Sequence, residues 1–216
     1  MSTAFHFYLL VLIVGSIVTL LCFGKLNSTF RLIGITIVIT LISEGISREF
    51  GSVEERNLRY TLYAPLYFGL TVLAYRYYFV KRAYINIAYI CLATVLGNSL
   101  LAVAKFGFYQ FSGMVIAIDS LAIIICSLLG FLQLLQQTKD SPLSAEPSFW
   151  LHTSMIFYWS FSFLRNGLLV NYSTTFSKAN QWFEYFHTFI SILYYLALAV
   201  AIFLECKSVQ HAKRIY

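Results

Sequence analysis

The chain is divided into long apolar runs, the first of which, FYLLVLIVGSIVTLLC from Phe7 to Cys22, holds no charged residue. Backbone placed in hydrocarbon must satisfy its own amides, and a helix of about 20 residues does this across a bilayer core of about 30 Å. Seven segments reach that length: Ala4 to Gly24, Phe30 to Arg48, Tyr60 to Phe79, Ala83 to Ala104, Gly113 to Leu135, Phe149 to Val170 and Gln181 to Leu204. They are uninterrupted rather than alternating, which argues against an outer-membrane barrel. Composition agrees, because 59% hydrophobic and 11% charged residues leave too little polar surface to hydrate a soluble domain. The expectation is an all-α membrane protein, a seven-transmembrane-helix bundle forming a single domain over residues 1–216 with no linker. The first segment lacks the basic start and clear cleavage site of a signal peptide, so it is read as a spanning helix.

Orientation follows from the basic residues of the short loops. With the N-terminus outside, nine of the fifteen Lys and Arg fall on the inner side, including Lys25, Arg31, Lys81 and Arg82. This predicts N-out/C-in. The net charge of +6 then reads as attraction to an anionic inner leaflet, not as nucleic-acid binding. Cys22 and Cys206 fall at inner ends and Cys91 and Cys126 within helices, so no disulfide is expected.

In this topology the polar side chains of the spans share one half of the membrane. Glu44 and Arg48 lie late in helix 2, Asn98 late in helix 4, Asp119 in helix 5, Arg165 and Asn166 late in helix 6, and Glu184 and His187 early in helix 7. Spacing gives several of them common faces: Thr40, Glu44, Ser47 and Arg48 on helix 2, and Glu184, His187, Ser191 and Tyr194 on helix 7. A charge near the bilayer centre costs about 2.5 to 3.5 kcal/mol on insertion scales, so such groups turn inward and find partners. Glu44, Asn98, Asp119, Arg165, Asn166, Glu184 and His187 are therefore the candidate ligand-binding set between helices 2, 5, 6 and 7, with Arg165 as counter-ion to at least one of Glu44, Asp119 and Glu184. A purely structural network of the same residues is the competing expectation.

The other half is expected to be plainer. Arg76 with Tyr77, Tyr78 and Phe79, and Phe149 with Trp150, have the composition of interfacial girdles, and His152 falls at the inner end as a hydrated residue. Thr71, Asn86 and Ser127 are the main polar groups there, a thin path that favours binding over transport.

Helices 3 and 7 open alike, NLRYTLY and NQWFEYF, and helices 2 and 6 open STFRLIG and PSFWLHT, suggesting a 3+1+3 parallel repeat. The last helix has no lysine for a retinal Schiff base, which excludes a microbial rhodopsin. Only His6 and His187 could join acids in a zinc site, and no Gly-rich phosphate loop, CxxC pair or serine nucleophile motif occurs, so no catalysis, metal or cofactor is expected.

Glu44 near the end of helix 2, Asn57 before YTLYAPLYF, the segment PLSAEPSFWLHTSMIFYWSFSF and the Trp182-led last helix together resemble the small seven-helix inner-membrane proteins common in Bacteroidota. The most specific part of the likeness is the P-x-F-W opening at Pro147 to Trp150. It implies a multi-pass protein of the bacterial inner (cytoplasmic) membrane, in a group some of whose members are associated with sensor histidine kinases. It carries over no catalytic residue, and Tyr67 stands where such proteins have an acid in early helix 3. The expected role is sensing or small-ligand binding from an extracytoplasmic-side pocket, with the lipid bilayer and a signalling or membrane-complex protein as partners. A small-solute carrier and a structural subunit of a membrane complex are the alternatives.

Overall fold

A computed structural model describes residues 3–49, 53–108, 113–137, 142–169 and 177–215, with side chains for 4–46, 55, 57–108, 113–137, 142–167 and 185–208. Seven α-helices account for nearly all of it: α1 (Thr3–Cys22), α2 (Ser28–Glu49), α3 (Val53–Tyr78), α4 (Arg82–Phe106), α5 (Gly113–Leu135), α6 (Pro147–Leu164) and α7 (Ser177–Ile215). Five contain a stretch long and apolar enough to cross a bilayer, namely those over Ala4–Lys25, Ser28–Ile46, Arg82–Phe106, Gly113–Leu135 and Tyr185–Ser208. The helices expected third and sixth form in place, but α3 and α6 do not belong to that apolar set. The tyrosines and charged residues of α3 and the serines and histidine of α6 lower their hydropathy, and several of these, Tyr67, Tyr75, His152, Ser154 and Ser162, are buried against the other helices.

Local chemistry sets the ends. Asn27 caps α2 by accepting the Phe30 backbone N–H at 3.1 Å, and its amide donates to Glu205 of α7 at 2.8 Å. Gly107 takes φ +76° after α4 and donates its N–H to Val103, the left-handed ending that favours glycine. Pro147 opens α6, where its missing N–H would be unsatisfied in any case. Beyond Leu164 that helix continues as a π-helical turn, Arg165–Leu169, instead of running straight to Val170. α7 is longer than expected at 39 residues, roughly 58 Å, so it outruns a bilayer core and takes the basic tail into helix.

Each helix packs on its neighbour in chain order, α7 returns to α1, and α3 also touches α5 while α2 touches α7. The seam between them is filled by residues with no exposed surface, among them Leu12, Ile37, Val72, Ile123, Leu151 and Leu198. The outward faces are apolar as well: Leu20, Leu21, Ile90, Leu100, Leu101 and Phe157 are all well over half exposed. A water-soluble surface would not carry such a continuous apolar coat, whereas lipid covers it without cost. The four cysteines are buried thiols, Cys22 facing Cys206 and Cys91 facing Cys126.

Candidate functional site

At one end of the molecule the helices part around a cavity of about 460 Å³. That end gathers the start of α1, the last turns of α2, the start of α3, the end of α6 and the first half of α7. α2 supplies Thr40 and Glu44, one helical turn apart. The π turn supplies Arg165 and Asn166, its extra residue re-aiming side chains that a regular helix would point elsewhere. His187, Thr188, Ser191 and Tyr195 come from α7. Asn166 is held by its own helix, its amide donating to the Ser162 carbonyl at 2.9 Å.

The wall that sequence reasoning missed is aromatic. Tyr60, Tyr63, Tyr67 and Phe68 of α3, Phe5 and Tyr8 of α1, and Tyr158 and Trp159 of α6 all line the space. Thr40 donates to the Thr36 carbonyl at 2.8 Å, so the Tyr63 and Tyr195 hydroxyls, at 2.8 and 3.4 Å, both donate to Thr40. Tyr194 donates to the Met155 sulfur at 3.2 Å and therefore accepts from Tyr67 at 2.7 Å. Tyr158 stacks on Tyr194 with centroids 4.3 Å apart, and Phe68 leans on Trp159 at 4.7 Å. Pro65 sits within this stretch of α3, where it cannot donate to the Thr61 carbonyl and so loosens the helix beside the cavity. A chemist would find here a carboxylate, a guanidinium, an imidazole, a carboxamide and many hydroxyls on an aromatic frame.

Glu44, Arg165, Asn166 and His187, expected as site residues, are brought together. Asn98 and Asp119 are not. They meet each other in the α4–α5 seam, Asn98 donating its amide to Asp119 Oδ1 at 2.8 Å and to the Val115 carbonyl at 3.2 Å. Asp119 is fully buried, and its second carboxylate oxygen has no hydrogen-bond partner among the described residues. The partner seen for this acid is thus an amide of α4, one of the pairings the structural network allowed, and not Arg165. The side chains of Glu184, Arg48 and Ser47 lie outside the described residues. The cavity therefore stands chiefly between helices 1, 2, 3, 6 and 7, with α5 giving only Ile116, where helices 2, 5, 6 and 7 had been expected.

No family model, curated protein or solved structure matches this chain. Its chemistry has to be read from the site. Among the described residues no three His, Cys, Asp or Glu side chains converge to hold a metal ion.

The opposite half also departs from expectation. His152 is wholly buried rather than hydrated, packed edge-on to Tyr78 with centroids 4.6 Å apart. Ser127 donates to the Ile123 carbonyl at 2.7 Å, so Tyr75 donates to Ser127 at 2.7 Å, and His152 Nδ1–H donates to Tyr75 at 3.4 Å. That tautomer leaves Nε2 as a buried acceptor, and it meets no partner among the described residues. Phe79 is buried too, whereas Arg76 and Tyr77 keep the girdle arrangement, the guanidinium donating to the Tyr89 hydroxyl at 2.8 Å. Asn86 is exposed, and the buried polar groups of this half include Thr71, Ser127, Tyr75, His152 and Gln133.

Proposed function

We propose that this is a seven-span protein of the bacterial inner membrane, oriented N-out/C-in, that binds a small solute in the cavity from the extracytoplasmic side and reports its occupancy to a membrane or cytoplasmic protein partner. The observation that carries this reading is the convergence of Glu44, Arg165, Asn166 and His187 on one tyrosine-rich cavity. A space of about 460 Å³ falls within the range of small-molecule sites, which are mostly apolar with a few placed polar groups. One carboxylate and one guanidinium on the wall favour a solute of no net charge that carries polar groups on an apolar or aromatic body. Signalling, rather than catalysis, is the role proposed for that occupancy.

A second reading, a small-solute carrier of two three-helix repeats, draws on the neighbour order, which is the same for α1–α2–α3 and α5–α6–α7. One experiment addresses the shared step. The full chain in detergent, with Trp150 and Trp182 replaced by Phe so that Trp159 reports, is titrated with neutral, zwitterionic, cationic and anionic aromatic solutes. Binding of net-neutral solutes should change the emission of Trp159 and be weakened about tenfold or more by Glu44→Gln or Arg165→Gln, the scale of one lost charge-assisted hydrogen bond. Absence of any response across the four classes would remove the ligand site.

A further inference from the structure

Five hydroxyls on the cavity wall have their protons turned into the protein. Thr40 gives its proton to the Thr36 carbonyl and Ser191 gives its own to the His187 carbonyl, each at 2.8 Å. Tyr63 and Tyr195 then both donate to Thr40, and Tyr67 donates to Tyr194. A phenol that has spent its proton keeps its oxygen lone pairs, so Tyr63, Tyr67 and Tyr195 meet the cavity as acceptors. Glu44, one turn along α2 from Thr40, adds a carboxylate, and its charge reaches the phenols of Tyr8, Tyr63, Tyr158 and Tyr195. Acceptor oxygens and aromatic ring faces both attract a cation. Arg165 supplies the opposite charge, which reaches Tyr158 and His187, so Tyr158 is common to both poles.

We infer that the solute is a zwitterion with a primary ammonium group, bound with that group on Glu44, Tyr63 and Tyr195 and with its acid group on Arg165. The inference rests on the cavity being a ligand site, as proposed above, and names the class of solute it takes. A primary ammonium has three N–H donors and no acceptor, and burying it without partners for them is costly. The two phenol oxygens joined through Thr40 and the carboxylate one turn away supply three acceptors. A trimethylammonium group has the same charge but no N–H to give, and a site built to accept hydrogen bonds rejects an analogue that lacks the donors. The acid group is a carboxylate in an α-amino acid with an apolar or aromatic side chain, or a phosphate in an ethanolamine lipid headgroup. The ammonium chemistry is the same in both.

The full chain in detergent, with Trp159 as its only tryptophan, is titrated with two pairs of probes and one control. The pairs are L-phenylalanine with its N,N,N-trimethyl derivative, and dihexanoylphosphatidylethanolamine with dihexanoylphosphatidylcholine; the control is N-acetylphenylalaninamide, which has no ammonium. In the pair that binds more tightly, the member with N–H groups should win by about tenfold or more, the scale of one lost charge-assisted hydrogen bond. Which pair that is assigns the source, free amino acid or lipid headgroup. Thr40→Val removes the oxygen that holds the Tyr63 and Tyr195 protons and frees them to turn into the cavity, and Tyr63→Phe removes one acceptor outright. Each should shrink the preference for the N–H member, whereas general loosening of the wall would weaken both members of a pair alike. Methylated probes bound as tightly as their N–H partners, or N-acetylphenylalaninamide bound as tightly as phenylalanine and the ethanolamine lipid, would overturn the inference while leaving the cavity a ligand site. A preference kept in full by both variants would overturn it too. No response to any of the five probes would remove the ligand site along with it.

Discussion

Gly130 lies directly beneath the imidazole of His152: a Cβ there would fall 2.9 Å from each ring nitrogen. Gly130→Ala should therefore displace the ring and lower stability in detergent by about 1 to 3 kcal/mol, the usual cost of overpacking a filled interior. Gly97, in the middle of α4, has nothing within 4 Å of an added Cβ. Gly97→Ala should gain about 0.5 to 1 kcal/mol from helix propensity alone. Thermal unfolding of the two variants checks the pair, and shifts of the same sign would dismiss the packing account of His152. Neither position stands out in the sequence. His152 reads there as a residue near the membrane surface, because Tyr75, Tyr78 and Gly130, which pack against it, belong to two other helices.

Between elements, the Asn98–Asp119 pair fastens α4 to α5 apart from the cavity. Removing the amide leaves a buried carboxyl group without its donor, a loss of about 1 to 3 kcal/mol. Asn98→Ala should thus lower the melting temperature while leaving the response of Trp159 to cavity probes unchanged; a weakened response would return this pair to the site. The periodicity of α2 and α7 was legible, and the structure has Glu44 and His187 lining the same cavity. That of α3 was equally present in the spacing of Tyr60, Tyr63, Tyr67, Tyr75 and Tyr78. It went unread because tyrosine serves an interface and an interior equally well, since its ring is apolar and its hydroxyl needs a partner or water. The π turn that aims Arg165 has no sequence mark of its own.

For the whole molecule the decisive measurement is orientation. A cysteine replacing Ser177 should react with an impermeant thiol reagent in intact cells, and one replacing Ser141 should not, if the cavity opens away from the cytoplasm. The opposite labelling would turn the cavity toward the cytoplasm and end the extracytoplasmic ligand reading. The amino-acid sequence by itself determined the five most apolar helices, since hydrocarbon-length apolar runs can satisfy their amides only within each segment. It also determined that Glu44, Arg165, Asn166 and His187 share one end, because helix direction alternates along a chain with short connections. Which acid meets which partner, and which tyrosines face inward, only the tertiary structure decided. The rotation of a helix about its axis is set by the side chains packed against it, and for Asp119, Tyr75 and His152 these come from other helices 21 to 77 residues away.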